Sequence, residues 1–406
     1  MSTGPTQWLT IVGIGENGLE GLSSKTLKII EEADVLIGGK RHLEKVPDNK
    51  VEKVGWGSNF DHGVEAIRKY EGKRIVVLAS GDPMNYGAGS TLARRFGIEA
   101  MTIIPAPSAF SLAAARMGWS LPDVECITLH GRPLETINLY LRPGARLLIL
   151  SWDGTTPAKL AELLVAKGYP DSPITALEYI DGDKENVIQG TASDWTVSEA
   201  AALNTIALEC VASPDAIAWS RAPGLLEQAF QHDNMITKRE VRAATISALA
   251  PLSGETLWDV GAGSGSVAIE WLRLEAAAKA VAIESNEKRL AYIRANALDL
   301  GVPRLEVVAG RAPNALAKIE GAPDAIFVGG GVSDMAVMAA CWKHLANGGR
   351  LVANAVTLEA QQSLLAFHDE HGGKITKIVI AREGKIGRLS GLKALMEVWQ
   401  LHVVKL

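Results

Sequence analysis

Trp8–Ile14, Val35–Ile37, Arg74–Ala79 and Met101–Ile104 are short apolar runs bounded by glycine, proline or charge. That is the pattern of buried strands. Helical periodicity fills the gaps over about Ser24–Ala33, Ala88–Phe96 and Ser108–Met117, with Leu27 and Ile30 sharing a face in the first. Such β/α alternation predicts a mostly parallel sheet covered on both faces, with ligands at the carboxyl ends of its strands. A second series runs through strand Arg146–Leu150, helix Thr156–Lys167 and strands Ile174–Glu178, Asn186–Gln189 and Thr205–Val211, with Asp181–Lys184 as a hairpin turn. Ser213–Asn234, carrying Ser213-Pro214 and Ala222-Pro223-Gly224, reads as a linker. Beyond it come helix Lys238–Ala250, a strand from Leu257, and strands Lys279–Ile283, Leu305–Val308, Ala325–Val328, Arg350–Ala355, Ile375–Ala381 and Glu397–Val404. The last two lack a crossover helix between them, so they should be antiparallel neighbours. The expected organisation is α/β throughout. Residues 1–212 form a two-lobed domain with lobes of about 1–135 and 136–212, 213–234 the linker, and 235–406 a second domain.

A length of 406 residues agrees with two or three domains, and 47% hydrophobic with 21% charged residues is ordinary for a globular protein. No apolar run is long enough to span a membrane and no leader is read at the N-terminus, so a cytoplasmic protein is expected. Cys126, Cys210 and Cys341 fit neither a disulfide framework nor a zinc spacing, and no metal is expected. A net charge of −5 with 5% aromatics argues against nucleic acid as partner but leaves room for a local basic patch that receives an anionic small molecule.

The chemistry concentrates in Leu257–Arg273, an apolar strand, a loop with Gly261, Gly263 and Gly265, and a helix. Glycines there allow a tight turn with positive φ and a close backbone approach to a ligand. The following helix aims free N–H groups and a partial positive charge at the loop. A dinucleotide fingerprint would place its last glycine at Ser266. The G-x-G-x-G spacing of Asp259–Gly265 instead resembles the S-adenosylmethionine (SAM) loop of class I methyltransferases. Glu284 ends the next strand about 20 residues past the loop, where a carboxylate can accept both ribose hydroxyls. Gly13–Gly18 has no such acidic partner, because Val35–Ile37 ends in Gly38.

The N-terminal half carries Val12-Gly-Ile-Gly-Glu-Asn-Gly18, Ala33-Asp-Val-Leu-Ile-Gly-Gly-Lys-Arg-His42, Ser80-Gly-Asp-Pro83 with Tyr86-Gly87, and Thr128-Leu-His-Gly-Arg132. Together these resemble the tetrapyrrole methylase (class III) family over about residues 8–212, in its CbiE branch. Met235–Arg242, Gly310-Arg-Ala-Pro-Asn-Ala-Leu316 and Val328-Gly-Gly-Gly331 resemble the CbiT branch of class I methyltransferases, a Rossmann-like seven-stranded sheet with an antiparallel terminal strand. The fusion is similar to the decarboxylating precorrin methyltransferases of corrin synthesis.

That resemblance implies methylation of precorrin-6B at carbons 5 and 15 with loss of CO2 from the ring C acetate, giving precorrin-8X, with one SAM per domain. In the first domain it implies SAM contacts at Gly81, Asp82, Pro83, Ser108 and Ala109, with Ser151 and Trp152 as further positions. Glu16 and Pro107 depart from the usual residues there. In the second it implies Thr237, Gly261, Ala262, Gly263, Ser264, Gly265, Glu284, Gly310, Arg311 and Ala312. Arg311 stands where relatives carry an acidic residue, and a guanidinium cannot accept from the adenine amino group. Backbone or apolar contact must then hold the adenine. The substrate's carboxylates call for Lys and Arg partners. Lys238 and Arg242, one helical turn apart, and Lys385 and Arg388, in the glycine-punctuated basic segment Arg382–Lys393, are the candidates. His130 is read as a hydrogen-bonded turn residue, and no catalytic base is assigned. A homo-oligomer, dimer or tetramer, is expected. The open alternatives are a fused pair acting on another corrin intermediate, a bifunctional NAD dehydrogenase and a non-catalytic SAM-binding module.

Overall fold

The structure is a computed structural model and describes residues 7–48, 51–57 and 60–406. The chain divides into two compact units, 1–134 with 142–217, and 135–141 with 218–406.

The first unit holds two five-stranded sheets. One comprises β1 (Leu9–Ile14), β2 (Val35–Gly38), β3 (Glu52–Gly55), β4 (Ile75–Ser80) and β5 (Met101–Ile104), all parallel, in the order β3-β2-β4-β1-β5. Its central strands are almost wholly buried, with Leu9, Ile11, Ile37 and Val77 on one face and Val12, Leu36 and Leu78 on the other. This two-sided burial explains their continuous apolar composition. Gly13 has no room for a side chain. A Cβ there would lie 2.0 Å from the Gly81 carbonyl oxygen and 2.6 Å from the Ala106 nitrogen, so β1 and the loops after β4 and β5 meet backbone to backbone.

The other sheet comprises β6 (Glu125–Thr128), β7 (Arg146–Leu150), β8 (Pro173–Glu178), β9 (Asn186–Thr191) and β10 (Asn204–Glu209), in the order β6-β7-β10-β8-β9. Only β6 and β7 run parallel; the other neighbours are antiparallel. Because β6 belongs here, the second lobe begins before residue 125 rather than near 136. The half-buried Glu125 and Cys126 give this short strand no apolar run to read. The segment 135–141, expected in the same lobe, groups with the second unit.

The second unit is built on β11 (Thr256–Val260), β12 (Lys279–Glu284), β13 (Glu306–Ala309), β14 (Ala325–Val328), β15 (Arg350–Ala355), β16 (Lys374–Ile378) and β19 (Val398–Val404), in the order β13-β12-β11-β14-β15-β19-β16. β19 alone is reversed, antiparallel to both β15 and β16, as the missing crossover predicts. Between β16 and β19 stand β17 (Ala381–Ile386) and β18 (Leu389–Ala394), an exposed two-stranded hairpin where sequence alone suggests a basic loop. The linker expectation is also revised. Leu225 and Phe230 lie in the core of the second unit, and the N–H groups of Gly224 and Leu225 donate to Glu270 at 2.8 and 2.9 Å. Proline and glycine there mark irregular backbone, not a lack of packing. Among the described residues no helix is long and apolar enough to cross a membrane.

Candidate functional sites

In the second unit, β11 pairs with β12 on one side and β14 on the other, so a crevice opens at the carboxyl ends where the winding reverses. The loop 261–265 occupies it. Gly261, Gly263 and Gly265 have φ of 71°, 60° and 76°, and a Cβ on Gly261 would sit 2.7 Å from the Gly330 backbone. The positive φ values and the close approach both require glycine here. The helix Ser266–Leu274 starts directly from Gly265.

Glu284 organises this loop. One carboxylate oxygen accepts from Gly263 N at 2.9 Å, and the other from Ser285 N at 2.8 Å and Asn286 N at 2.9 Å. Asp259, the penultimate residue of β11, lies beneath the loop and is 1% exposed. Burial pushes its carboxyl up to about 7; the Ala268 N–H, donating at 3.1 Å, opposes that and the Glu284 charge adds to it. The other Asp259 oxygen and the Ser264 hydroxyl are buried without a hydrogen-bond partner. An anionic rim, tight glycines and two orphaned polar atoms fit a ligand with ribose hydroxyls and cationic groups, as in SAM. Sequence reading counts Ser264 and Glu284 as donor contacts and Asp259 only as the start of the Asp259–Gly265 motif, two residues before Gly261.

Thr237 is half-buried and its carbonyl accepts from Arg242. Gly310 donates to the Glu284 carbonyl at 2.9 Å, which brings the 310–312 turn beside the loop, while Arg311 is exposed and Ala312 half-buried.

Arg242 is corrected. It is 0% exposed, pairs with Glu270 at 2.6 Å and donates to the carbonyls of Thr237 and Leu225. Lys238 sits at the N-cap position, outside the helix Arg239–Leu249, with no side-chain cap bond, and the buried face is Val241, Arg242, Thr245, Ile246 and Leu249. The one-turn spacing therefore does not give the two residues a shared exposed side. Lys238 is half-buried, and Lys385 and Arg388 are exposed on the hairpin. The hairpin's base is tied down by Arg382, which bridges Glu227 at 2.7 Å and Glu240 at 2.5 Å. Burial alone would raise the Glu227 carboxyl, but the Arg382 hydrogen bond and charge, together with backbone N–H groups including that of Arg239, outweigh it and hold the group at about 2.

In the first unit a cavity lies between the sheets, at the carboxyl ends of β1 and β4. It is lined by Gly15, Arg41, Gly81, Ala109 and, from the second sheet, Leu177 and Asn204. Gly81 has φ 51°. Asp82 accepts from Met84 N at 2.9 Å, and Ser108 caps the helix Ala109–Met117 by accepting from Ser111 N at 3.1 Å. Pro83 is buried under the turn. The Ser151 hydroxyl donates to Asn204 at 2.5 Å, whereas Trp152 is exposed and lines a separate cavity rather than this cleft, contrary to the expected donor contact. The cleft thus brings Gly81 and Ala109 together, while the side chains of Asp82 and Ser108 shape the turns around it. His130 is a hydrogen-bonded turn residue, as expected. Its backbone N–H donates to the Thr128 hydroxyl at 3.1 Å, and the Arg132 N–H closes the turn onto the Leu129 carbonyl at 3.0 Å.

A charged cluster that sequence reading does not single out stands on the cavity rim. Glu16 pairs with Arg41 at 2.7 Å and with Lys45 at 3.3 Å. Arg41 donates to the Ser80 hydroxyl at 3.1 Å, which lies 3.0 Å from His42 Nε2. Arg41 also approaches Nε2 at 3.2 Å, and a guanidinium only donates, so Nε2 carries the lone pair and His42 is neutral. Burial, then the Arg41 charge, pushes its ring down to about 4. A histidine with a depressed folded pKa contributes stability that is present above its unfolded value near 6.5 and lost as pH falls through about 4. Replacing His42 with Gln should flatten the acid-side fall of the first unit's melting temperature over that window, as calorimetry at stepped pH would read. An unaltered pH profile would contradict this assignment.

Comparison with known proteins agrees with this two-part layout. A profile of the Tetrapyrrole (Corrin/Porphyrin) Methylases matches residues 8–196, and one of the precorrin methyltransferase domain matches 228–405. A precorrin-6Y C(5,15)-methyltransferase [decarboxylating] of a Sinorhizobium species is 46% identical over 394 residues, 97% of this chain and 95% of the relative. The enzyme of that name from Mycobacterium tuberculosis is 37% identical over 98% of this chain and 100% of its own length. A cobalt-precorrin-7 C(5)-methyltransferase of Salmonella typhimurium is 36% identical over 39% of this chain and 79% of its own. The chain therefore belongs to the family of decarboxylating precorrin-6Y C(5,15)-methyltransferases.

Proposed function

We propose that this enzyme methylates a precorrin at carbons 5 and 15 and removes CO2 from its ring C acetate, with SAM as methyl donor, in cobalamin biosynthesis. The observation that carries the reading is the nearly full-length match to relatives of that activity, on a chain with a glycine-turned cleft in each of two units. Bound SAM would supply a sulfonium methyl as electrophile.

The rest is positioning. In the second unit Glu284 and the loop 261–265 would hold the ribose and the polar end of the donor, with Gly310, Arg311 and Ala312 beside it. In the first unit the turns at Gly81–Pro83 and Ser108–Ala109 would do so. Each unit would then hold one SAM. The reduced macrocycle brings its own nucleophile, an enamine-like ring carbon, so a fixed approach line in a water-poor cleft is what the protein adds. Such juxtaposition can be worth several kcal/mol, up to roughly 7–11 in well-oriented cases. Following the component branches, the first unit would serve carbon 5, and the second carbon 15 and the decarboxylation, whose electrons the conjugated imine of the ring can receive.

The exposed cations Lys385 and Arg388, with Lys238, would meet substrate carboxylates. Replacing Lys385 and Arg388 with Ala should raise the precorrin KM by about tenfold, roughly 1.4 kcal/mol, and leave SAM affinity alone; unchanged kinetics would remove these two residues from the site. The same hairpin exposes Ile386, Leu389 and Leu392 at 58%, 75% and 74%. Large apolar side chains grouped this way favour burial against a second copy, hence a homo-oligomer. Light scattering of a Leu389→Ser/Leu392→Ser variant tests that. The function itself is tested by incubating the full chain with precorrin-6B and SAM. Mass spectrometry should show two methyl groups gained and one CO2 lost.

A further inference from the structure

A second cavity of the first unit, about 230 Å³, opens at the carboxyl ends of β6 and β7, apart from the donor cleft. It is lined by Leu129, Arg132, Trp152, Asp153, Thr156 and Lys159, among others. Of two large rings left in water here, Trp152 lines the cavity and Tyr86 stands beside its Arg132. Trp152 is 54% exposed and Tyr86 51%. The His130 ring lies 6.3 Å from Trp152 at a 40° tilt. On the other side the Arg132 guanidinium sits 5.7 Å from the centroid of the Tyr86 ring. Arg132 therefore joins the two aromatic groups, and the exposed Lys159 adds a second cation.

Tyr86 holds φ 54°, in the left-handed region that favours glycine. Its ring is fixed edge-on to Phe110 at 6.0 Å, and its hydroxyl donates to the Cys126 carbonyl at 3.4 Å. A bulky non-glycine residue kept in that conformation, yet half in solvent, marks a position where its surroundings over-determine the ring's place. Tyr86 leaves the loop 80–87 that also carries Gly81, and Phe110 follows Ala109, so the aromatic rim and the donor cleft share the same two turns.

We infer that Tyr86, His130, Arg132, Trp152 and Lys159 form the docking platform for the tetrapyrrole in the first unit, the aromatic rings meeting the macrocycle and Arg132 and Lys159 meeting its carboxylates. The Thr128–Arg132 motif then acquires a role. Gly131, with φ 71°, turns the chain between His130, whose ring faces Trp152, and Arg132, which lines the cavity. Aromatic faces with interleaved guanidinium and ammonium groups fit a broad conjugated polyanion better than they fit a nucleoside, which presents one small ring system and few negative charges.

This inference rests on the proposed methyl transfer in the first unit. The test uses full-length Arg132→Gln and Trp152→Ala variants with precorrin-6B and SAM, reading precorrin KM and each methyl addition by mass, and S-adenosylhomocysteine affinity by calorimetry. The precorrin KM of the step without CO2 loss should rise about tenfold or more, with the singly methylated, decarboxylated species accumulating. S-adenosylhomocysteine affinity should stay within about twofold of wild type, which also reports that the fold is kept. Arg132→Lys and Trp152→Phe should recover most of the loss. Unchanged KM, or donor affinity falling in parallel, would overturn the inference. The underlying reading fails differently, because the unmodified chain would then add only one methyl group, and the platform would fall with it.

Discussion

Glu284→Gln should reduce S-adenosylhomocysteine stoichiometry from two per chain to one at concentrations that saturate the unmodified protein. The carboxylate accepts three backbone N–H groups from both sides, Gly263 on one and Ser285 and Asn286 on the other. An amide must turn its NH2 toward one side, where donor then faces donor. Each hydrogen bond to a charged group is worth roughly 1.5–3 kcal/mol, and the N–H groups stranded by the change hold the glycine loop in place. The ribose would lose its acceptor in the same stroke. We expect affinity at that site to fall by on the order of 100-fold, about 2.7 kcal/mol, while the site in the first unit is untouched. Isothermal titration of both proteins reads this directly. Stoichiometry that remains at two, with both affinities preserved, would exclude Glu284 from the donor site; one molecule bound by the unmodified chain would refute the proposal of a donor in each unit.

Arg242→Met should destabilise the second unit by about 3–5 kcal/mol, the usual consequence of stranding one partner of a buried ion pair. Glu270, 2% exposed, would keep as hydrogen-bond donors the N–H groups of Gly224 and Leu225, with the buried Arg273 charge acting on it from further away. The carbonyls of Thr237 and Leu225 would lose their donor as well, and Phe230 would lose the guanidinium 4.9 Å from its ring centroid. Arg242 is thus the strut that fastens the approach segment 224–237 to the helix Ser266–Leu274 behind the glycine loop. Denaturant unfolding should be read as separate transitions for the units. Only the second should shift, and precorrin KM should move no more than the folded fraction explains. A loss under about 1 kcal/mol combined with a specific rise in KM would restore Arg242 to the substrate site.

The contrast between Arg242 and Glu284 shows how far pattern reading carries. Glu284 was legible because its position is local information: an acidic residue ends a strand one β/α unit after a glycine loop, and that unit's geometry brings the two together. Arg242 was misread because its neighbours come from elsewhere in the chain. A helical wheel gives the spacing of Lys238 and Arg242, but whether position 238 lies inside the helix, and which face packs, depends on Glu270 and Leu225. The cluster of Glu16, Arg41, His42 and Ser80 was hidden for the same reason, since three strand ends converge to make it. Strand β6 and the hairpin β17–β18 escaped because the first is too short and half-buried, and the second too exposed, for apolar periodicity to register.

By itself the amino-acid order determined the β/α alternation, the reversed last strand, the glycine loop with its acidic partner and the kinship of each half. These follow from periodicity and from backbone requirements that act over a few residues. Tertiary structure alone decided which cations are struts and which face solvent, that Leu225 and Phe230 are core rather than linker, and that Arg132 and Trp152 line one cavity with Tyr86 against Arg132. Burial and side-chain partnership depend on residues distant in the chain, and a sequence read in order does not state those distances.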